Sequence, residues 1–159
     1  MPDGSVIITD ADMDRLTRLV HAFEHSLFRD QQQLEMLDQT LTAAEVRPPG
    51  RVPKDVIRMN SRVRVFDFDT RQREIYTLTF PEEANISRGM ISVLAPLGIA
   101  LLGRRKRDVI EVQVPGGVRQ LRVESVRRQA VVSRTKAFER ISTRHTSHLS
   151  GSDETALAV

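Results

Sequence analysis

The stretch ISVLAPLGIALLGRRKRDVIEVQVPGG, residues 91–117, changes its period repeatedly, and its reading decides the fold. MISVL (90–94) and VIEVQV (109–114) are short apolar runs rich in β-branched residues, the pattern of strands. Between them, APLGIALLG (95–103) places Pro96 where a first helical position tolerates a missing N–H. It places Gly103 where a helix can stop in left-handed backbone. Pro115, Gly116 and Gly117 then separate VIEVQV from a further strand-like run, VRQLRVESV (118–126), which predicts a tight hairpin. One short apolar helix set against such strands predicts an α+β domain.

Moving outward from this stretch, SRVRVF (61–66) and EIYTLTF (74–80) supply two more period-two segments. The interleaved arginines Arg62, Arg64, Arg119 and Arg122 are expected on the solvent side of an antiparallel sheet. RPPGRVP (47–53) holds three prolines and a glycine, which cannot continue a helix and read as a linker. Upstream of it, Thr9 precedes Asp10, Asp12 and Asp14, so a hydroxyl can cap the first free amides while carboxylates sit at the positive end of the helix dipole. The apolar positions Met13, Leu16, Val20, Phe23 and Leu27 recur at three and four. They predict a helix over residues 10–28, roughly 28 Å long. The same rhythm returns at Leu34, Leu37, Leu41 and Ala44. Neither stripe can be buried alone, so the pair predicts an antiparallel helical hairpin with a short coiled-coil seam.

The expected organisation is therefore a hairpin over residues 1–46, a linker over 47–54, an α+β domain over 55–128, and a basic tail over 129–159. From Ser133 onward the tail lacks sustained apolar periodicity and reads as mostly disordered, with a transient helix around residues 135–141.

Composition narrows the functional classes. The chain has 159 residues, 40% hydrophobic and 28% charged, with six Phe, one Tyr and no Trp. With so few aromatics the core falls to Val, Ile and Leu, and little remains for stacking bases or walling a ligand pocket. No cysteine is present, which excludes disulfides and thiolate chemistry. MPDGSVIITD does not read as a signal peptide, and the most apolar run, residues 91–103, falls short of the ~20 residues needed to span a bilayer. A soluble cytoplasmic protein is expected. The net charge of +3 conceals a split: residues 1–46 carry nine Asp/Glu against three Arg, and the remainder 21 Lys/Arg against 12 Asp/Glu. The two parts differ in sign, −6 against +9, and so suit different electrostatic surroundings.

One motif invites a catalytic reading. HAFEH (21–25) has the H-x-x-E-H spacing of inverted zinc peptidases, in which two histidines bind zinc and the glutamate acts as general base. His21 and His25 nonetheless fall outside the Phe23 seam on a solvated face, so solvated helix histidines and no metal site are expected. His145 and His148, in the tail, are weaker candidates still. The basic turn Arg104, Arg105, Lys106 and Arg107 could contact phosphates, as could the strand arginines. The simpler reading is a charged surface that keeps sheet edges apart.

Five segments carry a resemblance: VIITDADMDRL (6–16), DVIRMNSRVRVFD (55–67), YTLTFPEEAN (76–85), ISVLAPLGIALLG (91–103) and DVIEVQVPGG (108–117). In order and spacing they resemble the Gre-factor/Rnk family of bacterial transcription factors. The resemblance implies an FKBP-like antiparallel sheet wrapped on one short helix, preceded by a coiled-coil finger shorter than in GreA and GreB. It implies docking at the secondary-channel rim of bacterial RNA polymerase, with Ala95, Pro96, Leu97 and Gly98 as the contact loop. It implies no enzymatic activity, no cofactor and a monomer. Prolyl isomerisation, which an FKBP-like label would suggest, needs an aromatic-walled pocket, and seven aromatic residues, several committed to the core, argue against one.

The finger tip departs from the family. In GreA and GreB, acidic tip residues help hold a catalytic magnesium in the polymerase. Here the tip falls at Phe28, Arg29, Asp30 and Gln31, with two more glutamines following and no paired acids. Oxygen ligands must converge within ~2.0–2.6 Å of such an ion, and one aspartate supplies that weakly. The expected role is occupation of the channel entrance without stimulated transcript cleavage. The alternative is a basic nucleic-acid-binding module that dimerises through its hairpin. Arg107 also departs, standing where the family usually has a glycine.

Overall fold

The computed structural model describes residues 5–27 and 31–128. The tail, and Phe28, Arg29 and Asp30 of the expected tip, lie outside the described residues.

Strand β1 (Ile7–Thr9) leads directly into helix α1 (Asp10–Glu24). Thr9 caps the helix, its Oγ1 accepting from the Asp12 amide at 3.1 Å. The helix ends four residues short of the predicted boundary. Ser26 turns back on it, with both its amide and its hydroxyl donating to the Phe23 carbonyl, at 3.1 and 2.9 Å. That satisfies an orphan carbonyl without another helical turn. Leu27, expected on the seam, is consequently fully exposed. Helix α2 (Gln31–Ala43) returns with Leu34, Leu37 and Leu41 buried against Leu16, Leu19 and Val20 of α1.

The chain leaves α2 as an extended segment. Strand β2 (Glu45–Arg47) pairs parallel with β1, Ile8 opposite Val46. This small sheet was not anticipated. Its local cause is that Arg47 precedes Pro48, which disfavours helical backbone, and Val46 is β-branched.

The main sheet contains β3 (Ser61–Asp67), β4 (Arg73–Thr79), β5 (Met90–Ser92), β6 (Val109–Val114) and β7 (Gly117–Arg128), in the spatial order β5-β4-β3-β7-β6. The sheet is antiparallel except for β5, which lies parallel to β4, Leu78 opposite Ile91. The expected antiparallel sheet thus carries one parallel edge strand. Residues 80–89, with single 3-10 turns at Pro81–Glu83 and Ile86–Arg88, carry the chain back so that β5 starts at the same end as β4. β6 and β7 form the predicted hairpin, Val114 facing Gly117 across Pro115 and Gly116. Helix α3 (Pro96–Leu101) follows β5, with Pro96 at its start. Gly103 is left-handed at φ 74°, and a Cβ there would come within 2.2 Å of Val6 Cγ1. The glycine therefore serves both to stop the helix and to let β1 approach.

A single hydrophobic cluster joins these parts. Leu16 and Leu37 of the hairpin share it with Val63 and Val65 of β3, Leu78 of β4, Leu101 of α3 and Leu121 of β7, all of them completely buried. The fold is α+β, a helical hairpin followed by an antiparallel-dominated sheet whose core takes in the hairpin's own seam.

Candidate functional site

The hairpin is fastened to the sheet domain by polar contacts as well as packing. Asp12, in the first turn of α1, accepts from the Met59 amide at 3.2 Å, a contact between residues 47 apart in sequence. Arg15 lays its guanidinium 4.2 Å from the centroid of the Phe80 ring. Asp12 was expected only to meet the helix dipole and Arg15 did not stand out, because each of these contacts depends on a partner far along the chain.

The loop entering α3 is shaped by backbone. Ser92 accepts from the Leu94 amide at 3.0 Å, and its carbonyl accepts from Ala95 at 3.0 Å, so the chain doubles over before Pro96. Ala95, Pro96 and Leu97 are half-buried and remain accessible, whereas Gly98 is buried. A Cβ on Gly98 would meet the Ser92 carbonyl oxygen at 2.1 Å. Gly98 therefore shapes the loop from beneath, and the surface available to a partner is Ala95–Leu97 without it.

The basic turn after Gly103 is tied down on both sides. The Arg104 carbonyl accepts from Ile57 at 2.8 Å, and the Lys106 amide donates to the Asp55 carbonyl at 3.0 Å. Asp108 accepts from the Arg105 amide at 2.9 Å. Arg107 adopts φ 79°, a left-handed conformation that favours glycine, and its amide donates to the Val123 carbonyl at 2.7 Å. The turn thus keeps its shape despite the side chain, at a local cost. Arg105, Lys106 and Arg107 are exposed and Arg104 is half-buried, with Arg105 3.7 Å from Asp55.

A groove of about 730 Å³ runs between Met36 and Thr40 of α2, Pro96 and Ile99 of α3, and β6. Five successive β6 residues, 109–113, line it, so it follows the open edge of the sheet rather than one face.

The strand arginines divide between the two faces of the sheet, which corrects the expectation that all four point to solvent. Arg119 turns inward. Its Nε and Nη2 donate to Asp67 Oδ2 at 2.9 and 2.6 Å, and Nη2 also reaches Glu74 at 3.1 Å. The Tyr76 hydroxyl donates to the same Glu74 oxygen. The other oxygen of Asp67 takes the amides of Asp69 and Thr70, capping the β3–β4 turn. The Arg119 guanidinium, with those amides, holds the Asp67 carboxyl below the usual carboxylate range despite its burial. Arg119 is shifted up in turn, chiefly by its hydrogen bond to Asp67. Burial, then the bond to Glu74, pushes the Tyr76 phenol up to about 12.

On the outer face, β7 bulges where Ser125 and Val123 pair with the consecutive Arg64 and Val65. The extra residue, Glu124, meets Arg73, Arg64 and Arg122 at 2.8, 3.5 and 3.6 Å. Its carboxyl is lowered, with the Arg73 hydrogen bond the largest cause.

On the hairpin, His21 Nδ1 lies 3.1 Å from Glu24, both exposed, and His25 is exposed as well. Among the described residues no group of three or more His, Asp or Glu is placed to hold a metal ion. Gln31, at the start of α2, is the described member of the expected tip and is exposed. No described helix is long and apolar enough to cross a membrane.

A short helical hairpin fused to a mixed sheet, with a proline-led loop and a basic turn, defines a finger-and-domain protein. Residues 52–128 match the family described as transcription elongation factor GreA/GreB, C-terminal. The regulator of nucleoside diphosphate kinase of Escherichia coli K12 is 34% identical over 118 residues, covering 74% of this chain and 85% of that protein. Transcription elongation factor GreA of Bartonella henselae is 29% identical over 106 residues, 67% of this chain and 68% of that one. A solved GreA/GreB elongation factor from Nitrosomonas europaea superposes with a TM-score of 0.65 at 34% identity, covering 77% of this chain and 99% of its own. The chain belongs to the GreA/GreB transcription elongation factor family.

Proposed function

We propose that this protein is a cytoplasmic regulator that binds RNA polymerase at the secondary-channel entrance and does not stimulate transcript cleavage. The observation that carries this reading is the finger. Helix α1 has 15 residues, roughly 22 Å at about 1.5 Å per residue, and its seam up to Val20 belongs to the core shared with the sheet. Little of the hairpin is left to project. The sequence at its end offers Asp30 alone, where metal sharing asks for convergent carboxylates. The accessible Ala95, Pro96 and Leu97 supply the rim contact, and the protein acts through polymerase rather than as an enzyme.

Capture of core RNA polymerase on the immobilised protein tests this directly. Binding at micromolar protein that a GreA-type factor displaces supports it, and absence of both effects ends it. Dimerisation through the hairpin is disfavoured by the burial of Leu16, Leu34, Leu37 and Leu41 within one chain, which fills that part of the seam without a second copy.

A further inference from the structure

The outer face of the sheet carries a cluster that polymerase docking leaves unused. β3 is the central strand, and its outward row is Arg62, Arg64, Phe66 and, just past its end, Phe68, spaced about 7 Å apart. The two rings meet edge to face, centroids 5.6 Å apart. Arg122, from β7, stands 5.3 and 5.6 Å from them, and Arg73, from β4, 5.3 Å from Phe66. Phe68 is 39% exposed, a poor position for a phenylalanine that contacts nothing further. Glu124 is one carboxylate among three guanidinium groups, which leaves a surplus of two positive charges. Arg62 has no ion-pair partner among the described residues.

We propose that this face binds single-stranded nucleic acid. Bases would stack on Phe68 and on the planar guanidinium groups of Arg73 and Arg122 that lie over Phe66, and phosphates would take the donors that Glu124 cannot occupy. Three features favour this ligand. Aromatic side chains on the central strand of an open sheet present flat surfaces to unpaired bases, which a duplex does not offer. The cations are arginines, whose planar forks both stack and bind phosphate in pairs of hydrogen bonds. A protein partner would instead favour a pocket for an anchoring side chain, and the groove along β6 is lined by none of these residues. The scarcity of aromatics argued against such a platform, yet two of the seven lie together here beside four arginines.

The test is fluorescence anisotropy with labelled oligouridine, oligothymidine and a duplex of equal length, on the full chain. Single strands should bind at micromolar protein and low salt, and more tightly than the duplex. Phe68→Ala should weaken both single strands at least about fivefold, the lower end of the loss when a stacking aromatic is removed. Its melting temperature should fall only slightly, because the ring is 39% exposed and gives up chiefly its edge contact with Phe66. Arg62→Ala should reduce the salt slope by about 0.7, one single-strand phosphate contact. Duplex binding as tight as single-strand binding, or indifference to Phe68→Ala, would reduce the face to a solvated cationic surface and overturn the proposal. Absence of oligonucleotide binding, with polymerase capture lost in Phe68→Ala, would assign the face to a protein and overturn it equally.

Discussion

Two clusters of arginine and carboxylate sit on opposite faces of one sheet, and their stoichiometry separates their roles. Inside, a single guanidinium serves two carboxylates, Asp67 completely buried and Glu74 half-buried, and its Nε and Nη2 have fixed acceptors. Outside, three exposed guanidinium groups share one carboxylate that they largely cover. The inner cluster is closed, and it fixes the β3–β4 turn to β7. The outer cluster retains spare donors and charge, which is what a surface that meets an anion requires. Thus an arginine in a strand of this protein cannot be assigned a role by its type, and the count of carboxylates around it decides.

Breaking the inner cluster should have the largest effect. Arg119→Leu leaves the Asp67 carboxylate buried without its counterion, and should lower unfolding free energy on the order of 3 kcal/mol, read as a fall in the urea midpoint. Acid titrates the same pair. Because the folded value of Asp67 is depressed, the pair's contribution is complete above the unfolded value, near pH 4, and is lost as pH falls through the lower folded value. Thermal stability should therefore be level above about pH 5 and decline below about pH 4, with a smaller decline in Asp67→Asn.

Arg107 belongs to neither cluster and is held by its backbone. Arg107→Gly removes a side chain from left-handed backbone and should raise stability by about 1 kcal/mol, less whatever the more flexible unfolded chain takes back. A loss of stability would show that the arginine makes a contact of more weight than its strain. The outer cluster should respond least. Glu124→Gln should lower stability by no more than about 1 kcal/mol, the upper end for surface ion pairs, while tightening oligonucleotide binding by releasing the arginines. A loss of more than about 1 kcal/mol would mean that this cluster, too, is structural.

Much of this was legible in sequence, because it is local. Pro96 and Gly103 bracket α3, Pro115 and Gly116 turn the last hairpin, and alternation places Arg62 and Arg64 outward. The division of the arginines was half visible: Arg119 and Arg122 are three residues apart, so a period of two puts them on opposite faces. What joins Arg119 to Asp67 was not visible, since the pair spans 52 residues and depends on the register of β3 with β7. The bulge that brings Glu124 among three arginines is a property of that register too. The parallel pairings of β1 with β2 and β4 with β5 were missed because short strands carry no mark of direction. In the hairpin the seam was readable, but its length was not. Ser26 ends α1 by capping Phe23, and periodicity continued past it to a leucine that lies in solvent.

The proposed short finger occupies polymerase without assisting its chemistry. Transcript cleavage in stalled elongation complexes, with a GreA-type factor present and this protein titrated in, tests this most directly. The account predicts a saturable inhibition of factor-stimulated cleavage and no cleavage when this protein is added alone. Stimulation by this protein alone, or factor-stimulated cleavage unchanged at saturating protein, would contradict it.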